Sequence, residues 1–105
     1  MSADRIEMFQ QLLAQHPGDA FTRYGLAMEY ARIGQVEAAL AEFKTLLVQH
    51  PDYEAGYFMA AQTLAKQGRS EEAIEQLRNG ISAATRKGNA HAQSEMQALL
   101  DELGG

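Results

Sequence analysis

The chain has 105 residues, 46% hydrophobic and 22% charged, with a formal charge of −5 at neutral pH. This is one domain's worth of ordinary globular composition, without an apolar run long enough to cross a bilayer. Zero cysteines exclude a disulfide framework, a thiolate zinc site and a cysteine nucleophile; nine Lys+Arg against fourteen Asp+Glu disfavour a phosphate backbone as ligand. The charged start, Met1 to Met8, lacks the apolar run of a signal peptide, so a cytoplasmic location is the expectation.

The predicted elements are all helical, since there are no alternating β-branched runs. The first, 4–16, carries Ile6, Phe9, Leu12 and Leu13 and stops before Pro17, because the residue before a proline is pushed out of the α region. The second, 19–33, is capped by Asp19 or Gly18 and stopped by Gly34, which takes the left-handed conformation without a Cβ penalty. The third, 36–49, has Glu37 in its first turn and ends at Pro51; the fourth, 53–67, follows Asp52 as cap and stops at Gly68. The fifth, 70–86, has Ser70 as cap with Glu71 and Glu72 in its first turn, where carboxylates favour the positive end of the helix. The sixth, 90–103, carries one stripe of Ala92, Met96, Leu99, Leu100 and Leu103, with Gln93, Glu95, Gln97, Asp101 and Glu102 around the rest, the pattern of a terminal cap.

A shift of 34 residues superposes the chain on itself. Phe9 to Pro17 falls on Phe43 to Pro51, and eleven of the 34 positions starting at Phe9 are identical, including Ala27/Ala61, Gly34/Gly68 and Ala39/Ala73; composition alone would give about two or three. Small residues at Ala27, Ala39, Ala61 and Ala73 permit close helix approach, and Phe9, Phe43 and Leu77 are the knobs for the facing gaps. No unit buries its apolar face alone, so the units must stack.

At this period, Leu26, Ala27, Tyr30, Gly34, Ala39, Phe43 and Pro51, and again Tyr57, Ala61, Gly68 and Ala73 with Leu64 and Leu77, resemble the signature of the tetratricopeptide repeat family, a helix–turn–helix unit. The resemblance implies an α-solenoid of antiparallel hairpins with right-handed superhelical twist and about six helices. The expected organisation is one domain, 1–105, made of a half repeat 4–17, repeat one 20–53, repeat two 54–87 and a capping helix 89–103. Three residues depart from the pattern: Arg23 stands where a large aromatic is usual, Gly80 where a small Ala is usual, and Thr85 where the closing proline is missing.

Wrapped at about 100° per residue, the two first-type helices each show a second apolar face. On 19–33 it holds Phe21, Tyr24, Met28 and Arg32; on 53–67 it holds Phe58, Met59, Gln62 and Lys66 beside Ala55. In the resembling family, first helices line the concave side, so these residues are the candidate partner-binding groove, with Arg32 and Lys66 as a cationic edge for a carboxylate. The competing reading is that Tyr24, Met28, Phe58 and Met59 simply pack between adjacent first helices or against the C-terminal helix. The Lys and Asn of the family's chaperone-tail clamp are absent: their equivalents are Tyr24 and Met28, with Met59 in repeat two.

No catalytic constellation, cofactor or metal site is expected. His16 and His50 share one repeat position at helix ends, His91 has no partner His at i+4, and no Gly-rich phosphate loop or nucleophile elbow occurs. The expected function is a protein–protein interaction or adaptor module that holds a peptide or amphipathic helix, with no nucleic acid and no membrane as partner. The alternative is a self-assembling repeat, a homodimer through the N-terminal half repeat whose Ile6, Phe9, Leu12 and Leu13 lack a preceding helix.

Overall fold

The computed structural model describes residues 2–105, with side chains from residue 4 onward; Met1, where the expected domain begins, lies outside the described residues. They form six α-helices and no strand: α1 (Ser2–Gln15), α2 (Ala20–Arg32), α3 (Val36–Gln49), α4 (Glu54–Lys66), α5 (Ser70–Lys87) and α6 (Ala90–Glu102). The helix stops are where the glycines demand them. Gly34, Gly68 and Gly88 have φ of 83°, 74° and 69°. After α2, the N–H of Gly34 reaches the Ala31 carbonyl and that of Gln35 the Tyr30 carbonyl, and the same pair of bonds recurs after α4 and α5. Each is a left-handed glycine stop that satisfies carbonyls left over by the last turn.

Two of the expected helix caps move by one residue. Asp19 caps α2, and its carboxylate takes the Thr22 hydroxyl at 2.6 Å. Tyr53, not Asp52, precedes α4, and Arg69, not Ser70, precedes α5. Asp52 is drawn to Arg86 instead, 2.9 Å from its Nη2. With Thr85 in place of a proline, α5 continues to Lys87 and Gly88 ends it.

The chain divides after His50 into two compact units. In the first, α2 packs on both α1 and α3. Leu13, Leu26, Ala27, Ala39, Phe43 and Leu46 are buried, and a side chain of this size contributes about 1.5–3 kcal/mol when fully buried, alanine less. Gly25 makes room for α1: a Cβ there would lie 2.9 Å from the Phe9 ring. Arg23 accounts for its own departure from the repeat pattern. Its guanidinium donates to the Pro17 carbonyl at 2.9 Å and to Glu42 of α3 at 2.7 Å. The His50 ring donates from Nε2 to the Gly18 carbonyl at 2.8 Å, so it ties the α1–α2 loop down rather than capping its own helix.

In the second unit, α5 packs on α4 and α6, burying Tyr57, Ala60, Ala61 and Leu64 with Ala73, Leu77, Ala83 and Ala84, and with Met96 and Leu100 of the last helix. The Tyr57 hydroxyl donates to the Pro51 carbonyl at 2.8 Å, the job Arg23 does one repeat earlier. Gly80 is needed here: a Cβ would come within 2.4 Å of Met96 Sδ and 2.7 Å of Tyr57 Cβ. The loop before α4 is clamped by charge. Glu54 takes Lys87 Nζ at 2.9 Å and Asn89 Nδ2 at 2.8 Å, while Asn89 Oδ1 accepts from the Ala92 N–H and so caps α6. The Lys87 ammonium, and Asn89 beside it, hold the Glu54 carboxyl below the usual glutamate range against the opposing effect of burial. As expected for a cap, α6 buries Met96 and Leu100 and leaves Gln93, Glu95, Gln97, Asp101 and Glu102 exposed.

Candidate functional site

The candidate residues of the first unit all lie on α2, away from its buried Leu26 and Ala27. Phe21 at the start of the helix is 76% exposed, an unusual state for a phenylalanine and one that water penalises. Met28 is half-buried and Arg32 exposed. Tyr24 is divided between roles: half-buried, it meets the Phe43 ring edge-on, with centroids 6.4 Å apart and planes at 64°. Its ring therefore supports the α2–α3 hairpin as well as the surface.

The cationic edge of this helix is not a simple one. Arg32 grips the carboxylate of Glu29, one turn back, with both Nε and Nη2, and that carboxylate raises the guanidinium's already high pKa. Glu29 is buried, and Nε of Arg5 in α1 lies 3.5 Å from its Oε1, the oxygen that Arg32 Nε also reaches. A burial of this kind is tolerated because opposite charge surrounds it. Glu29 was not singled out from the sequence. The i to i+3 spacing to Arg32 is the one signal there, and it is common on exposed helix faces.

In the second unit, Phe58, Met59 and Gln62 are half-buried along α4 and Lys66 is exposed in its last turn. The neighbouring Thr63 is buried and returns its hydroxyl to the Met59 carbonyl at 2.8 Å, which satisfies it locally. Each set of four thus shares one face of its own helix, with apolar atoms partly open to solvent and a cation at the C-terminal end. Among the described residues there is no group of three or more His, Cys, Asp or Glu placed to hold a metal ion. No helix there is long and apolar enough to cross a membrane.

Known proteins share this architecture. A tetratricopeptide repeat family model matches residues 6–54 and again 24–86. A TPR repeat-containing protein of Pseudomonas aeruginosa is 28% identical over 98 residues, covering 93% of each chain. The tetratricopeptide repeat domain protein of Salinibacter ruber, solved by NMR, is similar with a TM-score of 0.78 and 32% identity over 83% of this chain and 88% of that one. A likeness of fold alone extends to the Yersinia enterocolitica type III secretion chaperone SycD, solved with a peptide of the translocator YopD: TM-score 0.87, 20% identity, 98% of this chain and 79% of that one. With two overlapping matches spanning most of its length, and the repeat, its glycine stops and its helix pairs in place, this chain belongs to the tetratricopeptide repeat family.

Proposed function

We propose that the protein is a binding module, an adaptor that holds a peptide or an amphipathic helix, with the outward face of α2 and the equivalent face of α4 each offering a contact surface. The observation that carries this reading is the exposure of Phe21 beside half-buried Tyr24 and Met28 on a helix whose opposite side is already the core. A folded chain gains nothing from a phenylalanine in water, whereas a ligand that covers it gains its full apolar area. Methionines at Met28 and Met59 suit a surface that repacks around varied ligands. The peptide seated on the fold-related SycD supports the same mode. The net charge of −5 favours a protein ligand over nucleic acid, and the role is one of binding rather than catalysis, in the cytoplasm. Within this reading the chain is one domain, with half repeat 4–17, repeats 20–53 and 54–87, and capping helix 89–103.

The test is affinity capture with wild-type protein beside a Tyr24→Ala/Phe58→Ala double variant and a Phe21→Ala variant, each with its thermal melt. Partners that disappear from both variants while Phe21→Ala melts like wild type support the reading. Unchanged partners, with stability lost in the double variant, assign these rings to packing.

A further inference from the structure

Two asparagines occur in the chain, Asn79 and Asn89. Asn89 precedes α6 with both ends of its amide engaged, Nδ2 donating to Glu54 at 2.8 Å and Oδ1 accepting from the Ala92 N–H at 3.1 Å. Asn79 is exposed in the interior of α5 and is followed by Gly80, the one Asn–Gly step of the sequence. Asparagine is a thermolabile residue, and a following glycine makes it most so: without a side chain, the Gly80 nitrogen is unhindered and its backbone is free to turn. That nitrogen can attack Cγ of Asn79. The Cγ–Nδ2 bond breaks, ammonia leaves with the proton the nitrogen gives up, and a five-membered succinimide closes. Water then opens the ring at one carbonyl or the other. One product is aspartate; the other is isoaspartate, whose main chain runs through Cγ and is longer by a methylene.

We propose that Asn79 is a latent site of spontaneous deamidation, held unreactive by α5 itself and released only when the second unit opens. Inside the helix the Gly80 N–H is directed to the Gln76 carbonyl, and a helical ψ of about −42° at Asn79 keeps the Gly80 nitrogen away from Cγ. The helix does not open alone, because Ala73, Leu77, Gly80, Ala83 and Ala84 are all buried against α4 and α6. Replacing the glycine would blunt the reaction, but the packing resists it: a Cβ there collides with Met96 Sδ and stands 2.7 Å from Tyr57 Cβ. The same seat makes the lesion permanent. An extra methylene in the main chain breaks the helical ladder at Gly80 and displaces that residue from Tyr57 and Met96. Each opening of the second unit thus carries a chance of not closing again.

The experiment ages the whole chain at mildly alkaline pH, in native buffer and in urea above the unfolding midpoint. Peptide mass spectrometry follows conversion of the Asn79 amide to acid, and an isoaspartate assay identifies the product. Conversion in native buffer is expected to be slower by at least about 10³-fold, the factor set by the fraction of chains unfolded. Met96→Ala, which hollows the seat of Gly80, should speed the native reaction at least about tenfold and leave the rate in urea unchanged. Should that variant not fold, wild-type rates taken through the urea transition must rise in step with the unfolded fraction. Asn79→Gln should fold like wild type and recover its whole melting transition after ageing in urea. Wild type aged the same way should lose that transition in proportion to its isoaspartate. Equal rates in the two solvents, conversion at Asn89 ahead of Asn79 in urea, native rates indifferent to stability, or full refolding of the isoaspartyl chain would each overturn the proposal.

Discussion

Phe21 and Tyr24 sit one turn apart on α2, yet they separate binding from stability. Phe21 is 76% exposed, so Phe21→Ala is expected to change unfolding free energy by no more than about 0.5 kcal/mol while weakening ligand capture; denaturant melts beside the capture assay check both. Tyr24 also packs edge-on against Phe43, and Tyr24→Ala is expected to cost about 1–3 kcal/mol. Gly80 shows the same separation inside the core. An added Cβ would meet the backbone-proximal Cβ of Tyr57 as well as the flexible Met96, so Gly80→Ala should destabilise by about 1–3 kcal/mol. Adding Met96→Ala should not restore it, as urea titration of both variants would show. The departure at Gly80 was legible from the repeat alignment, but its reason was not, because Met96 belongs to a helix outside the repeat.

Helices in this chain are legible by their ends more than by their interiors. Gly34 and Gly68 announce their stops because few other residues adopt positive φ, and Pro17 and Pro51 do so by steric exclusion. Gly88, which ends α5, does not stand at the glycine position of the repeat, so the period carries no sign of it. Asp52 read as a cap because its preference for that role is local, whereas its attraction to Arg86 is long-range. Arg23 read as a departure from the repeat for the same reason: Glu42 and the Pro17 carbonyl come to it only in three dimensions. The chain offers a control, since the residues one repeat later are Tyr57 and Gln76. Glu42→Gln alone leaves a largely buried guanidinium without its carboxylate and should cost about 1–3 kcal/mol. Arg23→Tyr/Glu42→Gln should recover most of that, read as a shift in urea midpoint. The Glu54 clamp between α4, α5 and the α6 cap carries a pH dependence. Its folded pKa is depressed, chiefly by Lys87, so its stabilisation is complete above the ordinary glutamate range and is lost as pH falls through the depressed value. Melting temperature measured from neutral pH down to about pH 3 should therefore fall less in Glu54→Gln than in wild type.

For the molecule as a whole, stability should be graded along the chain. Among the described side chains of α1 only Leu13 is buried, while α6 buries Met96 and Leu100 and has the Asn89 cap. Native-state hydrogen exchange is expected to show α1 amides opening first and the α4–α5 core last; equal protection throughout would contradict this. The repeat, the six helices and the apolar second faces were all visible in the sequence because they depend on period and composition. The Arg5–Glu29–Arg32 cluster was not, because it joins residues from two helices around a carboxylate whose burial no local pattern records.

The Arg23–Glu42 pair bears on how such a gene can be rearranged. A crossover between the two repeats that falls inside the helix hairpin would unite Arg23 with the glutamine native to the next repeat, or a tyrosine with Glu42. One that falls in the loop ending at Pro17, or its counterpart at Pro51, carries both partners across together. Breakpoints should therefore survive in those loops and fail between the paired helices, making the intact hairpin, rather than the single helix, the smallest exchangeable unit of the chain.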